Sequence, residues 1–347
     1  MPVYNGQAFL GEALESIRQQ TFVDWELVAV DDGSHDGSGS VLERFAATDR
    51  RIRILTNETN AGIAAALNRG WREARGAYIA RLDADDVALP ERLARQVEFL
   101  DAHPRVAAVG GAAIFVDGMG RRLSVARVPT SNRAIKRILP RHNCFNHPSV
   151  TLRRSALEAV GGYRFDHVED YDLWLRLSER FDLANVHEPV ILYRLHPEQV
   201  SFRVLEDQVR RAMAVREAAR RRRSLGVDPL DGVDDLTPEV VAGLCPEGPE
   251  LAAVLEPELL AWAVTFAELG RNEEATELVE RASRTLGPRA EAAFASFREL
   301  RQAQLSWTTG KRRAALAHVI GAVRHDARFA FSRIRARLSD RFSFLSG

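Results

Sequence analysis

Asp83, Asp85 and Asp86 fall within four residues at the end of an apolar run, in the stretch Arg81-Leu82-Asp83-Ala84-Asp85-Asp86. Like charges this close repel one another unless a cation sits among them. No Cys or His adjoins them in the sequence, so the donor set is all oxygen and suits a hard divalent ion, Mg²⁺ or Mn²⁺, rather than zinc. Such ions are held by one or two carboxylates together with substrate phosphates, and the cluster therefore points to a phosphorylated ligand. The plain alternative is that Asp is a common loop residue, with Asp86 placed to cap a helix starting near Pro90.

A second acidic pair, Asp31-Asp32, also ends an apolar run and leads into Gly33-Ser34-His35-Asp36-Gly37-Ser38. A turn of that composition brings backbone N–H groups and hydroxyls to a polar ligand. No GxGxxG follows the strand and no Walker lysine is present, so a single nucleotide held partly by acidic side chains fits better than a dinucleotide. Farther along, Glu169, Asp170 and Asp172 open a helical pattern. Acids in a first helical turn favour the dipole and bind free N–H groups, and residue types alone lean to that structural role over catalysis.

The elements that carry these residues alternate between strand and helix over the first two hundred positions. That pattern predicts a parallel or mixed sheet covered by helices. Phe9, Leu10, Ala13, Leu14 and Ile17 recur at helical spacing from Gly6 to Gln20. Trp25 to Val30 reads as a strand, Ser40 to Ala47 as a helix, Arg51 to Leu55 as a strand and Gly62 to Ala74 as a helix. The strand Ala77 to Leu82 then delivers Asp83, Pro90 is placed as the first residue of another helix, and Val106 to Val116 forms a further strand. Ligands of open sheets sit beyond the carboxyl ends of the strands, where both acidic clusters fall. Leu173, Trp174 and Leu177 read as core.

The chain has 347 residues, 28% of them charged, with Lys plus Arg and Asp plus Glu both 48. That balance gives no whole-protein field for nucleic acid. Cys144 and Cys245 match no metal or redox spacing, which suits a reducing, cytoplasmic setting. The longest apolar stretch, Val106 to Val116, is too short to cross a bilayer.

The motifs PVYNG, VDDGSHDGS, NAGIAAALNRG, ARGAYIARLDADD, HPSV, GGYR and EDYDLWLRL occur in the order and spacing of the family 2 glycosyltransferases, which the chain resembles from Pro2 to Phe202. The resemblance implies an α/β fold of the GT-A type, a Rossmann-like mixed sheet flanked by helices, and inverting transfer of a sugar from a nucleoside diphosphate. It implies that Pro2, Val3 and Tyr4 line the base and ribose, and that Asp32 hydrogen-bonds the base. Asp83 would contact the nucleotide sugar, while Asp85 would hold Mn²⁺ or Mg²⁺ on the diphosphate. Asn60 and Arg69 fall where related enzymes approach the nucleotide or donor sugar. Asp170 matches the catalytic base, and His196 resembles a residue that contacts the diphosphate or metal in some members. His147 shapes the acceptor side or is simply structural before Pro148; both readings stand.

Family members carry a short apolar strand before PVYN, whereas this chain starts at Met1-Pro2. The expectation is a natural start upstream, or an unstable protein that binds nucleotide poorly. The expected organisation is a catalytic domain over 1–203, a helical extension over 204–226 and a helical region over 227–347. Arg220 to Arg223 reads as a solvated helix face, and the segment from Gly226 to Val240 as a linker. Phe266 to Gly287 is similar to one tetratricopeptide unit, with a plain helical bundle favoured. From Lys311 to Gly347 the net charge is +7 with phenylalanines interleaved. Such a helix lies on anionic lipid at the inner face of a membrane or packs as a solvated face. The expected acceptor is a carbohydrate or a lipid-linked glycan of surface polysaccharide synthesis. The competing functions are a catalytically silent scaffold that binds nucleotide sugar, and a nucleotidyltransferase or hydrolase with a similar metal site.

Overall fold

The computed structural model describes residues 1–126, 128–196, 204–245 and 312–326, together with 262–263, 266, 275–280, 292, 295–296 and 299–300. The chain forms two compact units, Met1–Cys245 and Pro246–Gly347.

The first unit opens with strand β1 (Pro2–Val3), helix α1 (Gln7–Arg18), β2 (Leu27–Asp31), α2 (Ser38–Thr48), β3 (Ile52–Thr56) and α3 (Ile63–Glu73). The three strands form a parallel sheet in the order β1-β2-β3, with Val3 level with Asp31 and Asp31 level with Thr56. Every residue of β2 is buried, as expected of a parallel strand covered on both faces. This register brings the loops after β1, β2 and β3 to one edge.

A second, six-stranded sheet takes over at β4 (Tyr78–Ala80) and β5 (Val87–Ala88), which flank the acidic triplet. It continues through α4 (Arg92–Ala102), β6 (Val106–Asp117), β7 (Arg122–Ala126), α5 (Asn132–Ile138), β8 (Thr151–Arg153), α6 (Arg154–Ala159), α7 (Glu169–Arg180) and β9 (Asp182–Leu195). Its order is β4-β8-β6-β9-β5, with β7 on β6. The long strands β6 and β9 run parallel; every other pairing in this sheet is antiparallel. The result is a mixed sheet flanked by helices.

The largest core lies under α7. Leu173, Trp174, Leu175 and Leu177 are fully buried there and share a core with Leu152 and Leu183 of the second sheet and Leu157 of α6. Helix α8 (Leu205–Leu225) closes the same core with Ala214, Val215, Ala218 and Ala219, and Gly226 ends it in the left-handed conformation that glycine adopts freely. The segment after it is packed rather than a free linker: Leu230 and Leu236 enter the core, and Thr237 caps α9 (Pro238–Ala242) by accepting from the Val240 N–H.

Ion pairs join α7 to α8. Asp172, fully buried, accepts from Arg164 at 2.6 Å and from Arg176 at 2.8 Å. Arg164 and Arg222 both reach Asp228 at 3.1 Å, and Arg222 also reaches Glu179 at 3.0 Å. The run Arg220 to Arg223 is thus split: Arg220 is exposed on Glu217, whereas Arg222 turns inward to α7.

In the second unit, helix α10 (Arg312–His325) buries Ala322 and exposes Leu316 and Ile320. The tail beyond 326, with Phe329, Phe331, Phe342 and Phe344, and most of Phe266 to Gly287 lie outside the described residues. Among the described residues, no helix is long and apolar enough to cross a membrane.

Candidate active site

Three loops at the carboxyl ends of β1, β2 and β3 are stitched together by side chains that take each other's backbone N–H groups. Ser34 Oγ accepts from the Asn5 N–H at 3.0 Å, Ser38 Oγ from Gly6 at 2.9 Å, and Asp36 from Gln7 at 3.0 Å. Asn5 Oδ1 returns the contact by accepting from His35 at 2.8 Å. Asp32 holds the third loop, accepting from Asn57 Nδ2 and from the N–H groups of Ala61 and Gly62, the last two at 3.0 Å. Gly62 has φ +92, and an added Cβ would stand 2.1 Å from Asp166 Oδ2, so only glycine fits. Asp166 in turn accepts from the Ala64 N–H at 2.8 Å, which satisfies a free donor at the start of α3.

The carboxylates after β4 stand against these loops. A Cβ on Gly6 would lie 3.2 Å from Ala84 Cβ, so the Tyr4-Asn5-Gly6 loop abuts Asp83-Ala84-Asp85 directly. One oxygen from each of Asp83, Asp85 and Asp86 can be chosen so that all lie within 4.8 Å of one another. His196, just past the end of β9, places Nε2 2.9 Å from Asp85 Oδ2. Buried Arg194 braces the cluster: its N–H donates to Asp86 Oδ1 at 2.8 Å, its Nε to the Asp85 carbonyl at 3.0 Å and its Nη2 to Glu12 at 2.6 Å. Asp86 Oδ2 is buried with no hydrogen-bond partner among the described residues. An orphaned buried oxygen, beside two further carboxylates and an imidazole, fits a divalent ion with oxygen and nitrogen ligands.

Arg81 is the buried cation beside the triplet, ion-paired with Asp83. Burial nevertheless raises the Asp83 carboxyl to about 6, with Arg81 opposing and Asp85 and Glu169 adding to the shift. Burial likewise pushes Asp86 well above the carboxylate range, its two acidic neighbours adding to it.

A second group also feels the charge of Arg81. Donor atoms of His147, Glu169 and Asp170 lie within 4.8 Å of one another, with His147 Nδ1 3.3 Å from Glu169 Oε1. His147 sits in a short 3-10 turn (His147–Ser149), and the two acids open α7. Asp170 accepts from Asn143 Nδ2 at 2.7 Å and from the Tyr171 N–H at 2.6 Å. Burial raises the Asp170 carboxyl, Glu169 adding to the rise and His147 and Asn143 opposing it. Burial and the charge of Arg81 hold His147 well below its usual value, hence neutral. Arg81 acts on Glu169 and His147 as well as on Asp83, and Tyr163 feels both Asp83 and Asp170. The two acidic groups therefore border one region. The turn into α7 carries His167 at φ +71, which is uncommon for a side-chain-bearing residue, and Gln208 of α8 donates to its carbonyl at 2.9 Å.

Of the residues singled out in the sequence, Pro2, Val3, Tyr4, Asn60, Asp83, Asp85 and His196 come together around the loop edge, with Tyr4 and Asn60 exposed and Val3 buried. Arg69 points at the third loop, donating to the Thr56 carbonyl at 2.7 Å and to Asn57. Asp32 is buried with both oxygens engaged by the third loop. Sequence reasoning passed over Arg81, Arg194 and Asn143. The first two had a readable signal, a lone arginine closing a short apolar run, two residues before Asp83 and before His196; Asn143 had none.

The sequence profile of Glycosyl transferase family 2 matches residues 1–161. The Bacillus subtilis protein EpsE, assigned as a glycosyltransferase, is 34% identical over 229 residues, which span 64% of this chain and 81% of EpsE. The amylovoran biosynthesis glycosyltransferase AmsE of Erwinia amylovora is 34% identical over 56% of this chain and 73% of its own length. Among solved structures, S. aureus TarS 1-349 in complex with UDP-GlcNAc superposes with a TM-score of 0.51 at 17% identity, covering 94% of this chain and 90% of that one. The mannosyltransferase PcManGT from Pyrobaculum calidifontis, in complex with GDP-Man and Mn²⁺, gives 0.50 at 20% identity, covering 93% and 85%. At such identities the likeness concerns the fold.

Proposed function

This chain belongs to glycosyltransferase family 2, and we propose that it is an inverting, divalent-metal-dependent enzyme that moves a sugar from a nucleoside diphosphate to a carbohydrate or lipid-linked acceptor in polysaccharide synthesis. The observation that carries the reading is the presence of two carboxylate groups, Asp83 with Asp85 and Asp86, and Glu169 with Asp170, that both lie in the field of buried Arg81.

Inverting transfer is a single displacement at the anomeric carbon. A base must take the acceptor's hydroxyl proton on one side while charge builds on the leaving diphosphate on the other. Asp170 suits the role of base, because burial has raised its proton affinity and Asn143 fixes one of its oxygens. On the donor side Asp85 and His196 would hold Mn²⁺ or Mg²⁺, with Asp83 toward the nucleotide sugar. When bound, such an ion stabilises the departing diphosphate as a Lewis acid. Pro2, Val3 and Tyr4 offer the surface for base and ribose, with Asn60 at the rim and Arg69 behind the third loop. Asp32 orders the third loop through Ala61 and Gly62, and its carboxylate keeps acceptor capacity for the hydrogen bond to the base that the family resemblance assigns to it. TarS with UDP-GlcNAc and PcManGT with GDP-Man and Mn²⁺ support a nucleotide-sugar donor and a divalent ion for this fold. The name of AmsE supports a polysaccharide pathway.

The reading extends to a cytoplasmic location with peripheral contact at the inner face of the membrane. It rests on Leu316 and Ile320, one helical turn apart and exposed on α10, together with the basic residues around them.

The decisive variant is Asp170→Asn. Thermal stabilisation by a panel of UDP-, GDP- and dTDP-sugars with Mn²⁺ identifies the donor. The variant is expected to keep that stabilisation while transfer falls by about 10²–10⁴-fold. Transfer at the unaltered rate refutes the proposal.

A further inference from the structure

Glu169 is almost wholly buried, yet only one of its oxygens has a partner. Oε1 lies 3.3 Å from His147 Nδ1, while Oε2 has no hydrogen bond among the described residues. A buried, half-satisfied carboxylate is costly and is kept where its charge serves a purpose. Here the neighbour is Asp170, close enough for the two carboxylates and His147 to share a sphere of 4.8 Å. Among the described residues, no cation separates them. Arg81, the nearest guanidinium acting on Glu169, is ion-paired with Asp83, and His147 is neutral.

We propose that Glu169 is a positioning residue, acting through Asp170: its negative charge behind that carboxylate keeps Asp170 basic enough to take the acceptor's hydroxyl proton. The inference rests on Asp170 being the base. In water an isolated aspartate is a weak base, and a like charge next to it in a dry site strengthens it. The field at the pair has other contributors. Burial opposes the charge on Glu169 and Arg81 at the strand end favours it, while the hydrogen bonds from Asn143 and the Tyr171 N–H favour the charge on Asp170; Asp83 is ion-paired with Arg81. Asp166 and His167, in the loop before α7, act on Glu169 in opposite senses, and Tyr163 remains un-ionised through burial. Among the described residues, Glu169 is the one acid within that sphere besides Asp170 itself.

The pH profile of kcat/KM with saturating Mn²⁺, measured for wild type, Glu169→Gln, Glu169→Asp and Asp170→Asn, tests this. In Glu169→Gln, which keeps the shape and removes the charge, the acid limb is expected to move down by about one pH unit. The plateau should fall about threefold as the base weakens. Glu169→Asp keeps the charge and should keep the limb near its original position. Donor affinity should be unchanged in both. A limb that stays put in Glu169→Gln, or moves as far in Glu169→Asp, overturns the inference while leaving the base assignment intact. Transfer surviving in Asp170→Asn instead overturns the base assignment. If neither Glu169 variant folds, carbon-13 titration of the wild-type carboxyls decides. Coupled steps at 169 and 170 are expected, and independent simple curves overturn the inference.

Discussion

Replacing Asp172 by Asn removes one negative charge from the brace at α7 and changes almost nothing in shape. Asp172 has no solvent exposure; its oxygens accept from Arg164 Nη2 at 2.6 Å, Arg164 Nε at 2.9 Å and Arg176 Nε at 2.8 Å. Breaking a buried ion pair by neutralising one partner costs about 3–5 kcal/mol, because the surviving charge stays desolvated. Two features place this case at the lower end. Arg164 has a side chain 21% exposed and keeps Asp228, and Arg176 keeps the Val160 and Gly162 carbonyls. The expected loss is therefore about 3 kcal/mol, a large share of a typical total of about 5–15 kcal/mol. Urea unfolding of the two proteins measures it, and a double-mutant cycle with Arg164→Met should return a coupling of about 1–3 kcal/mol. The loss also depends on pH with a fixed sign. Burial pushes the Asp172 carboxyl up, but Arg176 and Arg164 together outweigh it and hold the group below its unfolded value. Its contribution is then present above the unfolded value of about 3.9 and is lost as pH falls through the folded one, so the gap between the two proteins should close under acid conditions. A loss below about 1 kcal/mol at neutral pH, or a gap that widens in acid, refutes the reasoning.

Gly62→Ala should cost about 2–3 kcal/mol, combining backbone strain at φ +92 with displacement of Asp166 from the start of α3, and a thermal melt with and without donor will show it. Arg194→Met removes the Nε contact to the Asp85 carbonyl while the backbone N–H still holds Asp86, and should weaken Mn²⁺ affinity about 10–100-fold through a loosened Asp85, read by paramagnetic resonance titration; unchanged affinity would show that Asp85 holds itself in place. Asn143→Ala frees one oxygen of Asp170 and should lower kcat about tenfold with the donor dissociation constant unmoved.

The acidic cluster of Asp83, Asp85 and Asp86 was legible because these carboxylates follow an apolar strand, a pattern that survives without tertiary knowledge. The helix expected over Gly6 to Gln20 spans Gln7–Arg18, and the strand expected over Val106 to Val116 spans Val106–Asp117. Pro90 was expected to be the first helical residue; α4 begins at Arg92, after a turn at Pro90 and Glu91. The split into two sheets was not legible: it depends on β6 pairing in parallel with β9, some seventy positions later, and long-range register leaves little local trace. Asp32 looked like a ligand group for the same reason that Asp83 does. Only the fold shows that the loop from Asn57 to Gly62 comes back to take up its oxygens. Arg222 was hidden in a run of four identical residues, and which one turns inward is set by the 3.6-residue period against Glu179.

The clasp between Gln208 and the strained carbonyl of His167 bears on how the protein can be cut for study. A recombinant fragment stopping where the family profile ends, at residue 161, would discard α7 and Asp170 with it; one stopping before α8 would keep Asp170 but lose the Gln208 contact to the turn before it, and strip Ala214, Val215, Ala218 and Ala219 from the core around α7. The shortest piece expected to run as an enzyme therefore reaches Cys245, the last residue of the first unit.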